Sequence, residues 1–251
     1  MSSLAVRPVP GLPEIAPGDD LAALIARAAD GMLAEGAVVC VAHKLVSKAE
    51  GRIVVLDEVV PSPLAVSLSE DRPDGDARHV QVILDETDEI LRADRGILIC
   101  RTRHGFTCAN AGVDRSNAPD GTAILLPIDP DTSARKLRAD LERLTGLTPL
   151  AVVISDSFGR AWRIGQADTA IGVAGIPPAV DHSGREDRAG RQLVATLPAI
   201  ADEIAAAASL VRGKASGDGV VVLTGLERFV SADDGPGAAS LVRPTSEDLF
   251  R

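Results

Sequence analysis

Ile154-Ser-Asp-Ser-Phe-Gly-Arg-Ala-Trp-Arg-Ile-Gly-Gln-Ala-Asp168 is the stretch on which the reading of this chain turns. It closes an apolar, β-branched run that starts at Ala151, and that run reads as a buried strand ending abruptly at Asp156 and Ser157. A strand that delivers a carboxylate and a hydroxyl to its end is a common way to hold a metal ion. The arginines just beyond, Arg160 and Arg163, suit anionic oxygens, because a guanidinium fork matches phosphate and carboxylate geometry. The plainer alternative is a strand end carrying solvated charge.

Working outward, Ile97-Leu-Ile-Cys100 is a second strand-like run. It leads through Arg101, Arg103 and His104 to Gly112-Val-Asp-Arg-Ser-Asn117. A hard cation such as Mg²⁺ takes one or two protein carboxylates together with substrate phosphates. Asp114 and Asp156 supply such a pair if the fold brings them together, and Ser157 could offer a hydroxyl to a second ion or cap a helix. Asn117 could bond a nucleotide or serve a turn. Lys44 and Lys48 lie four apart directly after the run Ala37–Val41; there they neutralise a phosphate or simply face solvent. Gly11-Leu-Pro-Glu-Ile-Ala-Pro-Gly18 reads as a loop against a ligand or as a plain connection. His104 is assigned no role. No Gly-x-x-x-x-Gly-Lys-[Ser/Thr] loop and no Gly-x-Gly-x-x-Gly fingerprint is present, so a nucleotide would be held in another way.

These segments together resemble one family, the coenzyme F-420-0:L-glutamate (gamma-glutamyl) ligases. The resemblance is carried by Leu12-Pro-Glu-Ile15 with Gly18-Asp-Asp20, Lys44-Leu-Val-Ser-Lys-Ala-Glu-Gly51, Gly112-Val-Asp-Arg-Ser-Asn117, and Asp156-Ser-Phe-Gly-Arg160 through Gly165-Gln-Ala-Asp168-Thr-Ala-Ile-Gly172. Ala201-Asp-Glu-Ile-Ala205 and Gly213-Lys214 fit its later part, so it runs from about Val9 to the carboxyl terminus. It implies a GTP-dependent ligase that adds L-glutamate, and potentially further gamma-linked glutamates, to the deazaflavin precursor F-420-0. The implied intermediate is an acyl phosphate, with GDP and phosphate released. It implies Mg²⁺ or Mn²⁺ on Asp114, Asp156 and Ser157, stimulation by K⁺, and GTP contacts from Leu12, Pro13, Glu14, Ile15, His43, Lys48 and Asn117. Asp114, Asp156 and Lys48 are the implied catalytic groups. The chain departs from the family in two places. His43 stands where a Ser is frequent, and Leu197 stands where some relatives carry a Glu. The rival readings are a metal-dependent phosphohydrolase using the same aspartates and a non-catalytic nucleotide-binding subunit.

Composition narrows the field. The chain has 251 residues, 45% of them apolar, which is enough for a real core without staples. Aromatics are 2% with no Tyr, so a stacking platform for single-stranded nucleic acid is nearly excluded and the core is built from Ala, Val, Leu and Ile. A net charge of −10 repels nucleic acid and anionic membrane on average, while leaving room for a local basic pocket from the arginines at 101–115 and 160–163. Cys40, Cys100 and Cys108 lack metal-ligand spacing and read as buried free thiols of a cytoplasmic protein. No signal peptide and no bilayer-spanning run is apparent.

Asp19 or Asp20 caps a helix from Leu21 to about Leu33. Strands are expected at Ala37–Val41, Ile53–Leu56, Ile97–Cys100, Ala123–Leu126, Ala151–Ile154 and Gly219–Leu223. Helices are expected at Arg78–Leu84, Ser133–Leu144 and Leu197–Val211. The alternation gives a mixed α/β (α+β) class, treated as one unit over residues 1–251 with room for two subdomains. The resemblance implies a two-domain fold that forms an intertwined homodimer.

Overall fold

The computed structural model describes residues 3–213 and 217–248. Lys214, one of the residues carrying the resemblance, lies outside them. The mixed α/β class is what the chain adopts, with three sheets and six α-helices among the described residues.

The chain opens with strand β1 (Ala5–Pro8) and reaches helix α1 (Leu21–Ala28), whose Ala23 amide donates to the Asp20 carboxylate at 3.0 Å. The helix is shorter than expected because Asp30-Gly31 turns the chain, with Gly31 at φ 71°. Strand β2 (Val38–Ala42) runs straight into helix α2 (His43–Ala49). The sequence reading missed α2: no capping side chain announces it, since its N-cap is Ala42.

A smaller assembly follows. Strand β3 (Ile53–Val55) is followed by helices α3 (Pro63–Ser69) and α4 (Ala77–Asp85), strands β4 (Thr87–Asp94), β5 (Ile97–Thr102) and β6 (Thr107–Ala109), and strand β7 (Thr122–Ile124). β4, β5 and β6 form one antiparallel sheet, and β3 pairs with β7. These elements enclose their own apolar cluster around Leu56, Val80, Ile83, Leu98 and Leu125.

Helix α5 (Pro130–Thr145) starts three residues before the expected Ser133, because Asp129 caps it and Pro130 fits its first turn. It ends at Gly146 in the left-handed region, as the Gly predicted. Strand β8 (Ala151–Arg160) and strand β9 (Arg163–Ala174) form a long hairpin. Helix α6 (Ile200–Val211) begins after Pro198 rather than at Leu197, and strand β10 (Val220–Thr224) completes the main sheet.

That sheet has the order β1-β10-β2-β8-β9, with β2 and β8 parallel and every other pair antiparallel. Its two central strands are buried on both faces, which is why they read as continuous apolar runs. Alternation sends Val39, Val41, Val152 and Ile154 into a core with α1 and α5. Val38, Cys40, Ala151 and Val153 face the Ala-rich α6. Ala201, Ala205 and Ala208 are fully buried there, so small side chains let the helix lie close on the sheet.

Two strand-end expectations are corrected. The strand through Ile154 does not stop at Asp156 but continues to Arg160, because β9 supplies a partner through the whole polar stretch. Asp114 does not follow directly from the run at Ile97. The chain first folds back as β6, passes a tight turn with Asn110 and Ala111 at φ 52°, and leaves Asp114 in an isolated bridge to Ile124.

Candidate functional site

The carboxyl end of β2 and the middle of its parallel neighbour β8, where Ala42 registers with Ser155, form the floor of a cavity of about 680 Å³. Open α/β sheets commonly bind ligands at such strand ends. The lining includes Glu14, His43, Lys44, Lys48, Asp114, Asn117, Asp156, Ser157, Asp168 and Arg212. A second hollow of about 690 Å³ lies between α6 and the β10 end. It is lined largely by apolar side chains such as Ile200, Ile204, Leu223 and Phe229, so it lacks the first cavity's clustered charge.

The fold thus brings Asp114, Asp156, Ser157, His43, Lys48, Asn117 and Glu14 to one cavity. It does not bring Leu12, Pro13 or Ile15: Ile15 is buried in the core, Leu12 packs against the same core, and Pro13 is exposed. The expected pocket of arginines is also corrected. Arg101 pairs with Asp88 at 2.8 Å and Glu89 at 3.0 Å, while Arg160 donates to the Ile164 carbonyl on the exposed hairpin. Among the described residues, the Lys and Arg side chains that do line the cavity are Lys44, Lys48 and Arg212. Of these, Arg212 was not anticipated, nor was Asp168 as a site residue.

Helix periodicity explains the two lysines. Positions 44 and 48 are one turn apart on α2 and share a face. Lys44 reaches Asp114 Oδ2 at 2.6 Å and the Ser116 hydroxyl at 2.6 Å. Lys48, nearly buried, pairs with the exposed Glu14. Asp114 also accepts from the Ser116 amide at 2.6 Å and hydroxyl at 2.9 Å, so both of its oxygens are engaged. Burial pushes the Asp114 carboxyl up, but the hydrogen bonds from Lys44 and Ser116 and the Lys44 charge outweigh it and hold the group below the usual carboxylate value. Asn117 sits at φ 56°, the left-handed turn geometry that Asn tolerates, and still lines the cavity.

Strand alternation separates Asp156 from Ser157. Ser157 pairs across the hairpin with Asp168 and donates its hydroxyl to Asp168 Oδ1 at 2.6 Å. Asp168 Oδ2 accepts from Arg212 at 3.0 Å, and Arg212 also donates to the Ser155 hydroxyl at 2.8 Å and the Cys40 carbonyl at 3.3 Å. This buried network ties the end of α6 to β2, β8 and β9.

Asp156 points the other way, toward His43. The His43 ring is 2% exposed; its Nε2 lies 3.3 Å from Asp156 Oδ1 without making a hydrogen bond, and its Nδ1 lies 3.3 Å from the Ser47 hydroxyl. The Asp156 charge helps burial push the neighbouring Cys108 thiol up to about 12. All three cysteines are free and buried. His104 is held against the Pro127 and Ile128 carbonyls. Asp202 accepts from the Ala170 amide at 2.9 Å, which makes it a support for β9 rather than part of the cavity.

The donor set fits a hard divalent cation only in part by itself. No group of three or more His, Cys, Asp or Glu among the described residues forms a complete cage. Asp156 Oδ1 is engaged by the Ser157 amide at 2.7 Å, whereas Oδ2 has no protein partner among the described residues. Mg²⁺ takes one or two protein carboxylates when ligand oxygens complete its shell, and Asp156 and Asp114 line the same cavity. No helix among the described residues is long and apolar enough to cross a membrane.

Residues 11–225 match the family model for F420-0:Gamma-glutamyl ligase. The chain is 45% identical over 253 residues to the coenzyme F420:L-glutamate ligase of Methanopyrus kandleri, covering 100% of this chain and 99% of that relative. It is 45% identical over 247 residues to the enzyme of the same description from Methanothermobacter thermautotrophicus, covering 97% of each. The corresponding protein of Halobacterium salinarum is 41% identical over 248 residues, covering 97% of this chain and 94% of the relative.

Proposed function

The chain belongs to the F420-0:gamma-glutamyl ligase family and is a ligase, and from that premise we propose that it joins L-glutamate to the deazaflavin precursor F-420-0 at the expense of GTP. The observation that carries the reading is the meeting of Lys44, Lys48, Asp114 and Asp156 in one cavity at the end of β2 and the middle of β8. Amide formation from a carboxylate is uphill in water, so the carboxylate must first be activated. The terminal carboxylate of the precursor attacks the γ-phosphorus of GTP, and the bond to GDP breaks. The amine of glutamate then attacks the acyl carbon, the acyl–oxygen bond breaks, phosphate leaves, and the amine loses a proton. One product molecule, one GDP and one phosphate balance the reaction.

Each side chain has a task in this scheme. The Lys48 ammonium, held at the cavity wall by Glu14, faces the nucleotide phosphates and offsets their charge. Asn117 and His43 lie within the same cavity, where the former offers an amide to the nucleotide. Asp114 and Asp156, with the Ser157 hydroxyl nearby, would hold Mg²⁺ or Mn²⁺. When bound, the cation supplies neutralisation of phosphate oxygens. K⁺ is a further proposed activator, and the proposed state is a homodimer. Light scattering should then give about twice the 26.0 kDa chain mass. An active monomer would refute the dimer.

Incubation with GTP, Mn²⁺, L-glutamate and F-420-0, read by mass spectrometry, tests the reaction. The expected result is a product heavier by one glutamyl unit, with equal GDP. GTP hydrolysis indifferent to both acceptors would favour a metal-dependent phosphohydrolase. Nucleotide binding without turnover would favour a non-catalytic subunit.

A further inference from the structure

His43 is the one buried imidazole in the cavity wall, and its Nε2 has no hydrogen-bond partner. A buried polar nitrogen left in that state is costly, so its surroundings call for an explanation. The backbone fixes where it stands. His43 is the first residue of α2, at the end of β2, and β2 lies parallel to β8 with Ala42 beside Ser155. The imidazole therefore faces the next residue of β8, Asp156, and the gap from Nε2 to Oδ1 is 3.3 Å.

The second ring nitrogen decides what the first can do. Nδ1 lies 3.3 Å from the hydroxyl of Ser47, one helical turn on and fully buried. If Nδ1 accepts the Ser47 proton, Nε2 carries the ring hydrogen and meets Asp156 as a donor. If Nδ1 donates instead, a lone pair on Nε2 faces a carboxylate. An ionised carboxylate only accepts, so the first tautomer is the compatible one. The Ser157 amide already holds the same Oδ1 at 2.7 Å, and a second donor there would leave Oδ2 as the outward oxygen.

We propose that His43 is a positioning residue for Asp156: oriented by Ser47, it donates Nε2–H to Oδ1 and presents Oδ2 to a divalent cation. This rests on the metal reading of the cavity, and it gives His43 a role other than a nucleotide contact. It places the residue behind the carboxylate, where partners of metal ligands fix orientation and raise affinity.

The test uses the full-length protein with three variants at one position. Gln puts its side-chain amide near the place of Nε2, Asn puts it near Nδ1, and Ala removes both. Mn²⁺ binding without nucleotide, followed by electron paramagnetic resonance, should weaken about ten- to a hundredfold in His43→Ala and His43→Asn. His43→Gln should stay within about threefold of wild type. Metal-free GTP binding should change little in all three. Equal loss of Mn²⁺ affinity in Gln, Asn and Ala would overturn the proposal, and so would a loss confined to GTP binding. Long-range nitrogen–proton NMR of the ring, assigned with the His43→Gln sample, reads the tautomer without any metal. A protonated Nε2 that reverts in Ser47→Ala supports the proposal, and a protonated Nδ1 in wild type overturns it. A wild type that binds no Mn²⁺ but shows protonated Nε2 hydrogen-bonded to Asp156 would sink the metal reading of the cavity while leaving the His43–Asp156 contact intact.

Discussion

Asp114 reaches the cavity from a loop, whereas Asp156 reaches it from within a ten-residue strand, paired there with Thr169 of β9 and one residue beyond the last partner in β2. The loop carboxylate is anchored by a full charge, Lys44, and both of its oxygens are spent. The strand carboxylate is placed by backbone geometry, accepts from the Ser157 amide, lies 3.3 Å from the His43 ring, and keeps Oδ2 available. A rigid ladder can present a carboxylate without neutralising it; a loop needs a cation to keep one in place. Asp156 is thus the pre-set half of the candidate metal site. Asp114 is the half that must exchange Lys44 for its ligand.

The largest effect expected from this contrast is at Asp156. Asp156→Asn keeps shape but removes the charge, and neutral amides hold Mg²⁺ or Mn²⁺ poorly. Turnover should fall to background with the melting temperature near wild type, measured by ligase assay and circular dichroism. Asp114→Asn should also abolish turnover, but its loss should be coupled to Lys44. Lys44→Ala combined with Asp114→Asn should be no worse for nucleotide-free Mn²⁺ binding than Asp114→Asn alone, since the two form one unit. Additive losses would separate Lys44 from the carboxylate, and near-wild-type rates in either Asn variant would remove that aspartate from the site.

The same contrast explains what could be read in advance. The β2, β8 and β10 cores were legible because burial on both faces demands unbroken apolar runs. The polar half of β8 and the polar half of β9 were not, because Ser157 faces Asp168 and Gly159 faces Gln166 across a hairpin whose pattern there lacks an apolar face. β4 escaped for a related reason: Thr87–Asp94 is largely polar and its pairing with β5 is interrupted twice. Within the site, Asp114 and Asp156 stood out as lone acids after apolar runs, although neither proved to end a strand directly. Arg212 gave no signal, being one of many arginines at the end of an Ala-rich helix. Only the tertiary approach of α6 to Cys40 and Asp168 gives it a role. Asp168 was quoted within the deciding stretch, and the cross-strand register with Ser157 would have singled it out had β9 been recognised.

A middle-sized effect separates the two lysines of α2. If Lys48 faces the GTP phosphates, Lys48→Ala should cost roughly 1.5–3 kcal/mol, about ten- to a hundredfold in kcat/KM with GTP varied at saturating glutamate. Lys48→Arg should rescue only partly, since a planar fork does not replace a compact ammonium. Lys44→Ala should cost less in GTP affinity, because its contacts are Asp114 and Ser116. Its deficit should appear instead in the Mn²⁺ concentration needed for half-maximal rate. Equal, small effects of both substitutions would mark the pair as solvated charges.

The smallest expected effect is on stability, and it has a definite sign. Asp114 is held below the usual carboxylate value of 3.8, so the folded state binds its proton more weakly than the unfolded chain does. Such a group stabilises the fold fully above the unfolded value, and its contribution is lost as pH falls through the lower, folded one. Asp114→Asn should therefore be less stable than wild type at pH 7, and the gap should close below about pH 3.8. With Asp114 39% exposed, solvent screening keeps the difference to about 1 kcal/mol or less. Urea melts of both proteins across that range measure it. A gap that persists at low pH would mean that Asn disturbs the loop itself, and a gap that widens would contradict the Lys44 pairing.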